Sequence, residues 1–284
     1  MRPLAAVVVV GVTWIAAFGT SHGKPPGADL ILRKAEEVRN PDLDYAVDFA
    51  IHGVPHEASE KERDATYSMI ASGKDRTVIL MRSPEALYGA LMLMENGRYW
   101  MLLPKASKPW ELSIAQIQNG DVATGDLSRV NLAHGYKATV AGDDDTDGEA
   151  CWRLELIPDG GGRRFSKILY WVAKAGFRPR RVEFYGRAGT LLKTVRYSDY
   201  RKGPLGLRSM TLTIESLDEW KETSTLTFSN LRKFDVRRAS FTPEGLIPLR
   251  DAALAAREAA GAADVPLETI AGARARLSEP SGLR

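Results

Sequence analysis

The chain has 284 residues with 39 Lys and Arg against 36 Asp and Glu, a near balance that gives no electrostatic footprint for nucleic acid. A single cysteine, Cys151, excludes an internal disulfide and a thiolate metal cluster. Length and apolar content suffice for one large domain with a full core or two small ones, and no linker rich in Ser, Gly or Pro forces two.

The first 23 residues read as a secretory signal. Arg2 is followed by an apolar run from Leu4 to Phe18, and Ser21 and Gly23 are the small residues a signal peptidase favours. The run is broken by Gly11 and Thr13 and falls short of the roughly 20 residues that span a bilayer. No cysteine follows to carry a lipid. The expectation is an exported chain cleaved near Gly23 and soluble in the periplasm.

Leu30, Ile31, Ala35 and Val38 then recur at helical spacing, with Asp29 as the predicted cap and Asn40-Pro41 as the stop. From residue 44 the period changes to two, and half-buried strands are predicted over 44–52, 65–72, 76–82, 86–94 and 98–103. Asn96-Gly97 is the strongest turn signal, because both residues tolerate the positive φ of a tight hairpin. After a turn or two of helix over 112–132, strands are predicted over 150–157, 164–173, 179–185, 190–199, 207–217 and 222–230. About eleven strands exceed an ordinary sheet, so the sheet must curl or close. A helix is expected to start at Thr242-Pro243-Glu244, the 249–260 stretch before Gly261 is expected to be helical, and the chain is expected to fray from residue 278.

Chemical motifs dissolve on inspection. Gly19-Thr20-Ser21-His22-Gly23 spells a nucleophile elbow but lies in the signal. Asp143, Asp145, Asp147 and Gly148 open like a calcium loop, but Leu154 stands where the closing glutamate belongs, which leaves an acidic hairpin loop. His52 and His56 have ligand-like spacing, yet Gly53 and Pro55 break any helix that would align them, and they read as solvated loop residues. Cys151 reads as a small buried residue. No phosphate-binding loop or dinucleotide fingerprint occurs, and neither a cofactor nor a catalytic group is predicted.

The order of the remaining segments resembles the outer-membrane lipoprotein-sorting family, the LolA-like proteins. The resemblance is carried by Trp100-Met-Leu-Leu-Pro104, Gly120-Asp-Val-Ala-Thr-Gly-Asp126-Leu127, Tyr136, Cys151-Trp-Arg-Leu-Glu-Leu156 and Ile168-Leu-Tyr-Trp-Val172. It continues in Phe177-Arg-Pro179, Glu183-Phe-Tyr185, Gly189-Thr-Leu-Leu-Lys193 and Phe241-Thr-Pro-Glu-Gly-Leu246. It spans roughly residues 44–246, and it implies a mainly β fold: an unclosed antiparallel β-barrel with a few helices packed in or across its concave side. It further implies a periplasmic carrier sheltering acyl chains of a lipid or lipoprotein, with an inner-membrane transporter and an outer-membrane acceptor as partners.

The expected organisation is a signal over 1–23, a lipid-binding domain over 24–246 and a helical or disordered tail over 247–284. Strand parity offers Phe49, Ile51, Tyr67, Trp100, Leu102, Trp152, Leu154, Ile168, Tyr170, Val182 and Phe184 as candidate cavity wall. Which face of each strand is concave stays open at this level. Two other classes compete: a sensor or accessory subunit of a membrane lipid transporter, and a secreted hydrolase, which lacks a catalytic constellation.

Overall fold

Alternation of large apolar with small or charged side chains over Tyr45–Pro55 makes the first strand, β1, and the same period recurs along the chain. The computed structural model describes residues 26–113, 132–160, 165–218, 221–234, 241–261 and 265–271. Helix α1 (Ala28–Arg39) precedes β1. After it come β2 (Arg63–Ser72), β3 (Arg76–Ser83), β4 (Leu91–Glu95), β5 (Arg98–Leu102) and β6 (Trp110–Leu112), with a 3₁₀ turn at Glu85–Leu87. The second run comprises β7 (Tyr136–Thr146), β8 (Glu149–Pro158), β9 (Lys167–Ala173), β10 (Pro179–Tyr185), β11 (Leu191–Gly203), β12 (Gly206–Ser216) and β13 (Glu222–Lys233). Helix α2 (Pro243–Ala259) follows.

All thirteen strands form one antiparallel sheet in the order β6-β5-β4-β3-β2-β1-β13-β12-β11-β10-β9-β8-β7. Two consecutive meanders are joined by the pairing of β1 with β13, and β6 and β7 are its open edges. Phe49 of β1 and Leu154 of β8 share one packed cluster although six strand spacings of about 4.8 Å separate their strands. Only a strongly curled sheet brings them together. The fold is therefore mainly β, an unclosed barrel, as expected, with two strands more than the eleven predicted.

The additions are β6 and β7. The first is short, and the second alternates poorly because it is an exposed edge. The acidic run expected as a hairpin loop in fact begins on β7, with Asp143, Asp144 and Asp145 paired to β8 and only Asp147-Gly148 left to turn. The strand predicted over 86–94 starts only at Leu91, because Glu85–Leu87 winds into the 3₁₀ turn. Asn96 and Gly97 do form the β4–β5 turn, with φ of 51° and 76°.

The helices occupy opposite faces. Helix α1 starts after Gly27, which makes no side-chain cap, and Asp29 lies inside the first turn, where a carboxylate suits the positive helix end. It buries Ile31, Leu32 and Ala35 against the inner face, about 1.5–3 kcal/mol for each larger side chain. The N-cap of α2 is Thr242, whose Oγ1 accepts from Gly245 N at 3.1 Å. Helix α2 is one element of 17 residues running through Pro248, because Leu246, Leu249 and Ala253 all bury against the sheet. It lies on the outer face with Ala46, Ile70, Val78, Leu80, Leu91 and Leu93, and so departs from the expectation that the helices sit on the concave side. It also crosses Leu246, where the sequence reading ends the domain. The signal segment, the 120–127 motif and the final residues lie outside the described residues.

Candidate functional site

The inner face is built by parity. Tyr45, Val47, Phe49 and Ile51 of β1 point inward, as do Leu154 and Leu156 of β8, Ile168 and Tyr170 of β9, and Val182 and Phe184 of β10. Phe49 stacks on Tyr67 with centroids 4.8 Å apart and tilts against Phe228 at 5.8 Å. Trp152 stacks on Phe177 at 5.4 Å, and Phe184 meets Phe165 at 4.7 Å. Nine of the eleven candidate wall residues thus join in or pack against one cluster with α1.

Trp100 and Leu102 do not. They pair with Leu93 and Leu91, whose side chains face outward, and pack in the cluster beneath α2. Their place as inner wall is taken by Met101, opposite Met92. Alternation alone does not separate the two faces of β5, because both faces of this strand are covered and both sets of positions are apolar. Inner-face residues missing from the candidate set are Val195, Tyr197, Leu212, Ile214, Leu226 and Phe228, all legible by the same alternation in β11, β12 and β13.

Helix α1 is held by a buried carboxylate. Glu36, 3% exposed, accepts from Arg39 Nε at 3.0 Å and Nη2 at 2.7 Å, from Leu132 N at 3.0 Å and from the Tyr170 hydroxyl at 3.3 Å. Burial opposes the charge on Arg39, but the Glu36 carboxylate outweighs it and holds the guanidinium well above its ordinary pKa. Burial, and then the charge of Glu36, pushes the Tyr170 phenol well up, so it stays a donor. Tyr200 is likewise raised, chiefly by burial, and its hydroxyl donates to the Pro179 carbonyl.

Beside the C-terminus of α1 is a cavity of about 50 Å³. Phe49, Met69, Leu212 and Phe228 supply its apolar wall, while Arg39, Asn40, Tyr45 and Arg208 supply polar groups. Arg208 Nη2 donates to the Arg39 carbonyl at 2.9 Å, satisfying a terminal helix acceptor. Grooves of about 230 Å³ and 220 Å³ flank α1, the first lined by Arg33, Glu37, Lys74 and His134, the second by Val38, Phe177, Leu205 and Leu207. Among the described residues the helix is thus packed along part of its surface, with a groove on each side.

Farther along the strands the inner face turns polar. Lys193 lies 4.7 Å from the centroid of Phe184 and 5.6 Å from that of Phe165. The Glu222 carboxylate occupies the space above Gly53, held by Arg63 and the Ser224 hydroxyl.

The other sequence motifs have structural partners. Asp143 pairs with Lys174 at 2.6 Å, and Asp144 accepts from Trp171 Nε1 at 2.9 Å. Asp145 accepts from Gly148 N at 2.8 Å, and Asp147 pairs with Arg180 at 3.3 Å. His52 lies within β1 and not in a loop, its Nδ1 2.9 Å from Asp64 Oδ1, while His56 Nε2 is 3.1 Å from Thr223 Oγ1. Among the described residues no group of three or more His, Cys, Asp or Glu is placed to hold a metal ion. Cys151 is fully buried, and burial pushes its thiol up, away from thiolate chemistry.

A family model with the description "Uncharacterized protein" matches residues 73–247. None of the curated proteins matches the chain. Among solved structures, a LolA superfamily protein from Nitrosomonas europaea is 29% identical, with a TM-score of 0.69, covering 78% of this chain and 99% of its own. An outer membrane lipoprotein-sorting protein domain from Vibrio parahaemolyticus is 20% identical at a TM-score of 0.68, covering 77% of this chain and 97% of its own. A DUF1329 family protein from Desulfovibrio piger shares the fold at 18% identity and a TM-score of 0.69, over 77% of this chain and 97% of its own. With the matching family model spanning more than half of the sequence, the chain belongs to that family, and it shares its fold with the LolA superfamily protein and the lipoprotein-sorting domain.

Proposed function

We propose that this protein is a periplasmic carrier that binds acyl chains of a lipid or lipoprotein along the inner face of the curled sheet and moves them between envelope membranes. The observation that carries the reading is the apolar inner face around Phe49, Leu154 and Tyr170, covered among the described residues by helix α1 with a groove on each side of it. The LolA superfamily relative and the lipoprotein-sorting domain support it by name and fold. No helix among the described residues is long and apolar enough to cross a membrane.

A cavity of about 50 Å³ is far below the roughly 300–1,000 Å³ of a ligand pocket, so the chains bind only when α1 gives way. The magnitudes permit that exchange. Releasing Ile31 and Leu32 costs about 3–6 kcal/mol together, while each methylene taken up contributes about 0.8 kcal/mol, so roughly eight methylenes offset the helix. A palmitoyl chain has more. On this reading the first 23 residues are a signal removed on export, and an inner-membrane donor and an outer-membrane acceptor are the partners.

The test is organic extraction and mass spectrometry of the exported protein purified without detergent. Acylated lipid or lipoprotein in stoichiometric amount is expected. Protein that carries none, and takes up none from vesicles, contradicts the carrier and favours a sensor or transporter accessory on the same fold.

A further inference from the structure

Two donors in the cavity at the end of α1 have no acceptor. Asn40 is 8% exposed and lines the cavity with its Nδ2 buried and unbonded, and Arg208 does the same with Nη1. The Arg208 guanidinium is fixed in place, Nη2 donating to the Arg39 carbonyl at 2.9 Å and the carbon standing 5.1 Å from the centroid of Tyr45. One of its edges is therefore left to the cavity.

The charge is unmatched too. Arg39 is neutralised by Glu36, but no carboxylate lines the cavity, and Arg208 has no ion pair among the described residues. Buried cations are ordinarily paired, and a buried N–H without an acceptor is costly. An arrangement that leaves both a charge and two donors facing one apolar-walled space is completed by an oxyanion.

We propose that this cavity takes the anionic headgroup of the carried amphiphile, a carboxylate or phosphate, with Arg208 Nη1 and Asn40 Nδ2 donating to its oxygens. The inference rests on the carrier reading and names its ligand class. The cavity has room for a headgroup and not for a chain, and Phe49, Leu212 and Phe228 continue from it as the wall for the first methylenes. The C-terminal end of α1 disfavours an anion, but Arg208 occupies the Arg39 carbonyl and brings a full positive charge against the partial one of the helix end. A planar guanidinium also matches carboxylate and phosphate geometry and bonds them with charge assistance.

The experiment measures affinity of the full chain for dodecanoate, dodecyl phosphate and methyl dodecanoate by calorimetry, in parent, Arg208→Met and Asn40→Asp. The second variant adds a carboxylate to the cavity that Arg208 lines and so supplies the missing negative charge while filling the anion position. At least one anionic ligand is expected to bind about tenfold or more tightly than the ester in the parent, and which one does so separates a fatty acid from a phospholipid source. Both variants, folded by circular dichroism, are expected to lose the preference and bind neither anion more tightly than the ester. Ester binding equal to both anions in the parent, or a preference that survives in both variants, overturns the inference and leaves the carrier reading standing. Failure of all three ligands to bind overturns both.

Discussion

The Tyr170 hydroxyl of β9 donates to Glu36 Oε1 of α1 at 3.3 Å, inside a core that both side chains enter almost completely. That contact, the Leu132 N–H bond to Glu36 and the Arg208 bond to the Arg39 carbonyl tie α1 to the rest of the chain, and the Glu36–Arg39 pair balances charge within the helix. The two partners differ in what their loss leaves behind. Glu36→Ala leaves Arg39 buried without its carboxylate and is expected to cost about 3–5 kcal/mol. Tyr170→Phe removes one long hydrogen bond and is expected to cost about 1 kcal/mol. Urea unfolding with an unchanged m-value reads both, and equal costs would mean that Arg39 finds another partner.

A second prediction concerns Gly53. A Cβ there would stand 2.6 Å from Glu222 Oε1, so Gly53→Ala must push the carboxylate out of its buried place beside Arg63 and Ser224. The expected loss is about 1–3 kcal/mol, from a disturbed buried hydrogen-bonded group. Gly53→Ala combined with Glu222→Ala should lose no more than Glu222→Ala alone, since the clash is gone. Additive losses in the thermal midpoint would contradict this account.

The pH dependence of His52 has a definite sign. Its hydrogen bond to Asp64, opposed by burial and reinforced by the charges of Asp64 and Glu62, raises its pKa above the ordinary value of 6.5. A raised pKa stabilises the fold fully below the unfolded value, and that stabilisation is lost as pH rises through the folded value. The imidazole is exposed, so the effect on stability is small, and NMR titration is the suitable measurement. The His52 midpoint should lie above 6.5 in the parent and fall in Asp64→Asn. An unmoved midpoint would remove Asp64 as the cause.

Calcium should leave the thermal midpoint unchanged. Asp143, Asp144, Asp145 and Asp147 each have a cation or N–H partner from the protein, and Leu154 stands where the closing bidentate ligand belongs. Specific binding to the folded state would raise the midpoint saturably through linkage.

Much of the fold was legible because its determinants are local. The switch in hydrophobic period near residue 44, the Asn96-Gly97 turn and the helix start at Thr242-Pro243-Glu244 depend on residues close in sequence, and all reappear at those places in the structure. What was not legible depends on contacts distant in sequence. Trp100 and Leu102 carry the same alternation as Leu154 and Ile168, and it is α2 with Phe241, Leu267 and Ile270, some 140 residues later and more, that makes their face an outer core. The edge strand β7 lost its signature because one of its sides has no strand to pair with. At the candidate site the apolar wall could be read from parity. The polar groups could not: Glu36 lies on the apolar stripe of α1 four residues after Leu32, and Arg208 looks like any solvent-facing arginine of a hairpin.

The division of the sheet into an inner face under α1 and an outer face under α2 gives the most direct test of the carrier reading. Capture of a fluorescent palmitoyl probe would be measured for the parent, for Leu212→Glu on the inner face and for Trp100→Ala beneath α2, each first shown to be folded. Trp100→Ala should lose about 3–5 kcal/mol of stability and still bind the probe, while Leu212→Glu should weaken capture by about tenfold or more, because the acyl chain would have to desolvate the introduced carboxylate. Probe binding that survives Leu212→Glu but disappears in folded Trp100→Ala, or a parent that captures no probe, would contradict the account.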